Sequence, residues 1–585
     1  MNLTGQLTQL ENEQLLRHVL EEEPTYAFRH ALTQEVTYDS LLKNQRREIH
    51  HAVAQAYEKI YADRLDEFAA ILAEHYAKAH DDAPTLRYSI LAGDAAARVY
   101  ANAEAIAFYS QAIEIARRTS DSSLKELWLK CGRALELGGQ YQAALQIYTD
   151  MDTYAREHDD PAMELGAMLA RANIYVIPTS FQDPNVAKEL LDNALALSHR
   201  IGDHSAEAKT LWSLMLVTYF QGQQAGAIVW GEQALAIARQ YDLREQLAYT
   251  LNDIVRAYVG VLRFDDASAA LNEARGLWQA QGNLPMLADN YTTAMWISTW
   301  FGKYAQAIEL AAEVQRICQP IGNLWNLAFR GWLLVWICGD QGEFDQAFSE
   351  LTETLQLASE AGFATAEWFV RVNGAFLCGK LGAPERGIAS LEPDLDDAFK
   401  TANAFMPVYL GVLAYLHALV GNAERYRARV EEGWRDANRA DILNLAPVTL
   451  TLAEGEWAMR CGKFEQVEQQ TQELLAQYRK AKICLFKCDV MLLAAKAMRA
   501  QNKLDAAREM LSEARAEAEM IGIRRVLWEI LAEQSALEDE CGNTDQAQVL
   551  RGQACEILND LVVHTPVDLR ESFLRLPSVR AVRAI

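Results

Sequence analysis

The sequence predicts an all-α fold, a right-handed superhelical solenoid of about twelve helix-turn-helix repeats, and three observations carry that prediction. Long windows such as AEAIAFYSQAIEIARR and KLDAAREMLSEARAEAEMIG place apolar residues at helical spacing among strong helix formers. A phrase Gly-x-aromatic-x-x-Ala recurs as Gly139-Tyr141-Ala144, Gly302-Tyr304-Ala307 and Gly342-Phe344-Ala347, with degenerate copies at Gly462-Phe464-Val467, Asn502-Leu504-Ala507 and Gly542-Thr544-Ala547. With the glycine position as anchor, copies fall at 101, 139, 183, 222, 262, 302, 342, 382, 421, 462, 502 and 542, and eight of the eleven spacings are 39 or 40 residues. Strand-like alternation is almost absent.

Each repeat reads as helix A, a tight turn at the anchor, helix B, and a loop marked by Gly202, Gly282, Gly322 or Gly522. Glycine lets the chain reverse at low steric cost. The aromatic packs the start of helix B, and the small Ala lets helices A and B approach. One hairpin cannot bury its apolar face alone, so neighbours stack.

The phrase resembles the tetratricopeptide repeat (TPR), lengthened from about 34 residues to about 40. The long form is similar to the MalT-like sensor arrays of bacterial STAND-class signalling ATPases and adenylate-cyclase-associated regulators. A second stretch, Tyr26-Ala-Phe28-Arg29-His30-Ala-Leu32-Thr-Gln34-Glu35-Val-Thr-Tyr38-Asp-Ser-Leu41-Leu42 with Arg46-Arg47-Glu-Ile-His50, resembles the helical and winged-helix segment joining ATPase to repeats in those proteins. Asp568-Leu-Arg570-Glu-Ser-Phe573-Leu574 looks like their array terminus. The resemblance implies three parts: a helical linker or winged-helix remnant over 1–85, a repeat array over 86–565 and a C-terminal cap over 566–585. It departs from the family at one point. The ATPase needs Gly-x-x-x-x-Gly-Lys-(Ser/Thr), and Gly302-Lys303, Gly379-Lys380 and Gly462-Lys463 all lack the hydroxyl residue and read as repeat turns. The sensing half is expected without the nucleotide-binding half, as a fragment or as a free-standing regulator.

Composition narrows the function classes. No stretch approaches the 18 or more uncharged apolar residues of a membrane helix, and the N-terminus shows no basic-then-apolar signal. The nine cysteines are odd in number and scattered, against a disulfide framework. A soluble, cytoplasmic protein is expected. Acidic residues outnumber basic ones 80 to 55, for a net charge of −25, which disfavours direct contact with nucleic acid or anionic lipid.

Catalytic and metal signals are weak. There is no Gly-x-Ser-x-Gly elbow, and His50, His51 and His75 lack the His-Glu-x-x-His pattern, so His50 reads as part of a structural Arg-Arg-x-x-His helix. Cys484 and Cys488 are four apart, on one helix face, without a second ligand pair. Cys338 and Cys378, each four residues before an anchor, read as core. No enzyme activity, cofactor or metal is expected.

The aromatic residues are more informative. In tetratricopeptide repeats helix A lines the concave groove at 10, 6, 3 and 2 residues before the anchor. That register gives Trp212, Asn252 and Trp332 at minus ten, Arg256, Trp296, Trp336, Phe376 and Tyr415 at minus six, and Phe220, Trp300 and Asp340 at minus two. Trp296 and Trp300, like Trp332 and Trp336, share a helix face. Two readings stand: a groove that takes an apolar peptide or flat ligand, or a register shifted by the longer repeat, with the tryptophans filling gaps between helices. The function expected is a non-catalytic sensor of a STAND-type system, binding a peptide, protein or small effector and meeting a companion ATPase or cyclase polypeptide. The alternative is a free-standing scaffold for complex assembly.

Overall fold

A computed structural model describes residues 3–19, 25–99, 101–176, 181–396, 398, 405–438, 443 and 445–583. The described chain is an all-α helical repeat array, with one short exception near its start. It divides into two compact units, 1–170 and 171–585.

The first unit opens with helix Leu3–Asn12 and a two-stranded antiparallel hairpin, Leu16–Val19 against Thr25–Phe28, with Leu16 opposite Phe28. This hairpin is strand that periodicity did not reveal, because four-residue strands are too short to show alternation. Helices Ala31–Asp39, Lys43–Ile60, Ala69–Ala79 and Asp82–Arg98 follow. The predicted boundary at residue 85 falls inside the last of these. Ala54, Leu72, Ala73, Tyr76 and Tyr88 form a small core, and Glu58 accepts hydrogen bonds from the Tyr76 and Tyr88 hydroxyls.

A regular hairpin already stands in the first unit, Leu124–Leu137 with Tyr141–Glu157 about Gly139, and the second unit holds the others. Their A helices are His204–Phe220, Arg244–Gly260, Leu284–Trp300, Leu324–Gln341, Ala364–Lys380, Met406–Val420, Ala446–Arg460, Lys487–Ala500 and Arg524–Glu540. Ten of the twelve anchors, Gly139 and Gly222 through Gly542, sit at positive φ, including the non-glycine Leu262 and Asn502. Asp183 departs from the pattern: it is an extended N-cap whose carboxylate accepts from the Asn185 and Val186 amides. Five residues past the anchors, Ala144, Ala227, Ala267, Ala307, Ala347, Ala507 and Ala547 are buried, which lets the paired helices close up.

Two repeats are irregular. Helix B shrinks to Pro384–Leu391 and then to Ala423–Asp436, against 17 to 20 residues elsewhere in the unit, and the connections after them lengthen. Between Ala481 and Lys487 the loop is also longer than the two-residue Gly522-Ile523 link.

Period alone did not give the next level of packing. Gly302 abuts Ile521 and Cys484, Gly342 abuts Leu561, and Gly382 abuts Ser572 and Leu576. Ser572 Oγ donates to the Leu381 carbonyl across 191 residues, and the Asp345 amide donates to the His564 carbonyl at 2.7 Å. Contacts about four and a half to five and a half repeats apart mean that this part of the array coils back on itself with successive turns touching. The terminal helices Val567–Arg575 and Pro577–Arg583 complete this seam, with Phe573 packed against Phe344 and Trp528. No described helix is long and apolar enough to cross a membrane.

Candidate binding groove

Helix A of each hairpin brings its late residues beside those of the next. Trp296 meets Trp300 at 5.4 Å between ring centroids, Trp300 meets Trp332 at 6.2 Å, Trp336 stacks on Phe376 at 6.5 Å, and Phe376 meets Tyr415 at 5.6 Å. Apart from Asp340, taken up below, six of the ten residues in the predicted groove register therefore make one aromatic wall. Trp300, Trp332, Phe376 and Tyr415 are buried, and Trp296 and Trp336 half-buried. Later repeats supply the cover. Phe486 sets its edge on Trp336 at 4.5 Å and on Phe376 at 5.0 Å, while the Trp300 indole donates to the Leu443 carbonyl at 3.2 Å.

The other four predicted residues lie apart, on earlier repeats. Trp212 Nε1 donates to Asp253 at 2.9 Å, and Arg256 pairs with the same carboxylate at 2.9 Å. Asn252, fully buried, donates to Asp289 at 2.7 Å and accepts from Asn290 at 3.0 Å, which itself accepts from Arg275. Asn252 is thus consumed by a polar ladder between helices. Arg256 keeps 28% of its side chain exposed. Burial opposes its charge, but Asp253 and Asp289 outweigh that and raise its pKa. Phe220 is half-buried beside Tyr219.

A buried ion cluster at the seam escaped sequence reasoning. Arg525 donates to both Asp489 oxygens at 2.9 and 2.8 Å and to Asp340 at 2.8 and 3.0 Å; Lys380 pairs with Asp489 at 2.8 Å, and the Tyr304 hydroxyl donates to Asp340 at 2.5 Å. Burial pushes the Asp489 carboxyl up, but Arg525 and then Lys380 overcome it and hold that group well below the usual carboxylate range. At Asp340 burial wins, and the pKa is raised. Asp340 stood in the groove register, but nothing marked Lys380, Asp489 or Arg525. Gly379-Lys380 is not a turn, as the sequence reading held, but the end of helix Ala364–Lys380.

The histidines and cysteines singled out from the sequence are held in structural contacts or buried. His50 Nδ1 lies 2.9 Å from His75 Nδ1 and its Nε2 2.9 Å from the Tyr38 hydroxyl. Arg46 lies over the Tyr38 ring and donates to the Asp39 and Leu41 carbonyls. Cys484 precedes helix Lys487–Ala500, so it shares no helix face with Cys488. Burial pushes Cys338 up to about 12 and Cys378 up to about 11, away from reactive thiolate. Glu343, Asp345 and His564 bring three possible metal ligands within 4.8 Å at the seam, with His564 Nδ1 3.0 Å from Glu343 and 3.6 Å from Asp345.

The N-terminal segment differs in kind. Helix Ala31–Asp39 has no buried residue, and Leu32, Val36, Leu42 and Ile49 are 70%, 62%, 70% and 47% exposed.

No protein-family model and no curated protein matches the chain. Among solved structures it is similar to a Rap protein complexed with Competence and Sporulation Factor, at 15% identity over 60% of this chain and 97% of that one, with a TM-score of 0.41. A STAND protein with a tetratricopeptide repeat sensor from Pyrococcus horikoshii matches at 13% identity over 73% of this chain, with a TM-score of 0.39, and this chain spans 61% of its length. The APC/C hetero-tetramer Cut9-Hcn1 matches at 12% identity over 84% of this chain and 96% of that one, with a TM-score of 0.29.

Proposed function

We propose that the protein is a non-catalytic recognition module, the sensor array of a STAND-type signalling system. Its repeats take a peptide or protein ligand, and residues 29–50 meet a companion ATPase polypeptide. The observation that carries this reading is the bare apolar surface of Leu32, Val36, Leu42 and Ile49. A nine-residue helix is too short to hold itself, and Leu32 and Val36, one turn apart on it, give it an exposed apolar face of the kind that marks a protein contact.

The aromatic wall and the partly exposed Arg256 support ligand recognition by the array. Aromatic and Arg side chains supply most of the energy at such contacts. In a sensor, the ligand acts by binding one of two array states more tightly than the other.

The test is capture from source-cell extract with three forms of the full chain: wild type, Leu32→Ser/Val36→Ser, and Trp296→Ala/Trp336→Ala. A sensor retains an ATPase in the first and third forms and loses it in the second. A free-standing scaffold instead loses its partners only in the tryptophan variant, and that result would reject the sensor reading.

A further inference from the structure

Behind the aromatic wall lies a narrow, partly open cavity of about 10 Å³, room for about one water. Its walls are Trp300, Trp332, Trp336, Phe369 and Phe376, and its lids are Leu445 and Phe486. One wall residue is out of character. Asn373 is 4% exposed, and its Nδ2 group has no acceptor. Buried amide donors are nearly always satisfied, and an orphan calls for an explanation.

The lids are also out of character. Leu445 and Phe486 are the N-caps of successive A helices, and both adopt left-handed backbone, at φ 60° and 57°. Bulky residues rarely occupy that region, and such strain gathers at ligand clamps and switches. In the other links the positive φ falls on a glycine one residue before the N-cap, as at Gly202, Gly282, Gly322 and Gly522, and the N-caps themselves, Asp203, Asn283, Asn323 and Ile523, have φ of -87°, -82°, -79° and -83°. These two repeats instead place large apolar side chains on the chamber.

We propose that the chamber is a binding site for an aromatic residue of a peptide ligand, with the ligand ring replacing Phe486 and the adjoining peptide carbonyl accepting from Asn373. The inference rests on the peptide-binding reading above and specifies its ligand. The ring preference follows from the edge-to-face seat that Phe486 already occupies on Trp336 and Phe376. The amide preference follows from the orphan donor. The ligand residue is neutral, because the nearest cations, Arg525 and Lys380 over Phe376, are matched by Asp340 and Asp489. Entry requires loop 482–486 to withdraw, which breaks the 2.7 Å bond from the Cys484 amide to the Trp300 carbonyl.

The test uses N-acetyl-phenylalaninamide as probe and ethylbenzene, which lacks an acceptor, as comparison, with the purified full chain and calorimetric titration. Phe486→Ala removes the internal competitor, so it should bind the amide probe about tenfold more tightly than wild type, as expected when the competent state gains population. Adding Asn373→Leu should abolish that gain for the amide and leave ethylbenzene binding unchanged. If both probes gain equally and the gain survives Asn373→Leu, the chamber is a packing void whose donor holds a water, and the proposal fails. Phe486→Leu, which keeps most of the volume, replaces the Ala variant should that one not fold, with a smaller gain of the same Asn373 dependence expected. Failure here leaves the N-terminal docking reading untouched, since that rests on the Leu32 and Val36 variants.

Discussion

Replacing Gly382 by alanine is expected to loosen the seam that joins successive turns of the array. Gly382 sits at φ +72°, and a Cβ there would lie 2.7 Å from the backbone oxygen of Ser572 and 3.0 Å from Leu576 Cγ. The left-handed backbone alone costs an L-residue about 1–2 kcal/mol. Overpacking against a backbone atom, which cannot swing aside as a side chain can, adds about 1–3 kcal/mol. Gly462 supplies the control, at φ +69° with nothing within 4 Å of its Cβ position. Gly462→Ala shares the conformational cost and lacks the clash, so the excess at Gly382 is the seam's own contribution. Long arrays need not unfold in one step, so the fitting assay is native-state hydrogen exchange, read at amides of helix Val567–Arg575. An excess of about 2 kcal/mol speeds their exchange roughly thirtyfold over the Gly462 variant. Equal exchange in the two variants would refute the claim that these turns press on one another.

Arg525→Met takes the guanidinium from buried Asp340 and Asp489 and leaves Lys380 on Asp489; a loss of about 3–5 kcal/mol is expected, seen as a lower urea midpoint of the second unit's transition. Arg525→Lys should recover only part, because an ammonium cannot chelate two carboxylates in parallel. Ellman's reagent should modify the exposed Cys461 and Cys541 first, and Cys131, Cys318, Cys338, Cys378 and Cys488, all buried, only on unfolding. Burial, joined at His50 by repulsion from His75, lowers the pKa of both imidazoles. The folded state therefore binds fewer protons than the unfolded one. The stability involved is complete above the unfolded pKa near 6.5 and is lost as pH falls through and below it. Thermal melts of the first unit should drop between pH 7 and pH 5, and His50→Gln should flatten that slope.

The sequence could reveal neighbours but not second neighbours. A period of about 40 residues fixes which helices pack side by side, because anchors such as Gly302 and Gly342 need φ above zero and Ala307 and Ala347 need close approach. The curvature that brings Gly382 to Ser572 is the accumulated result of small rotations between repeats, and no single residue encodes it. The cover over the aromatic wall was hidden for the same reason. Trp300, Trp332, Trp336 and Phe376 stood in the groove register, yet what lies on them, Phe486 and Leu445, belongs to loops where the period slips by a few residues. Asn373 gave no signal, since an Asn inside a helix reads as polar surface until its neighbours are known. Asp489 and Arg525 sit early in their A helices, where charged residues ordinarily face water, and only the coil's return turns them inward.

This ordering has a mechanical consequence. The side chains best suited to recognise a ligand are the ones the chain's own later repeats now cover, so a ligand that reaches Trp332 and Trp336 must compete with Phe486 and, through Trp300, with the Leu443 carbonyl. Its binding free energy is then spent partly on parting the covering loops from the wall. A substitution at Phe486 would consequently change ligand affinity and seam exchange together, whereas one at Arg256, outside the covered wall, would change affinity and leave exchange in helix Val567–Arg575 as it was.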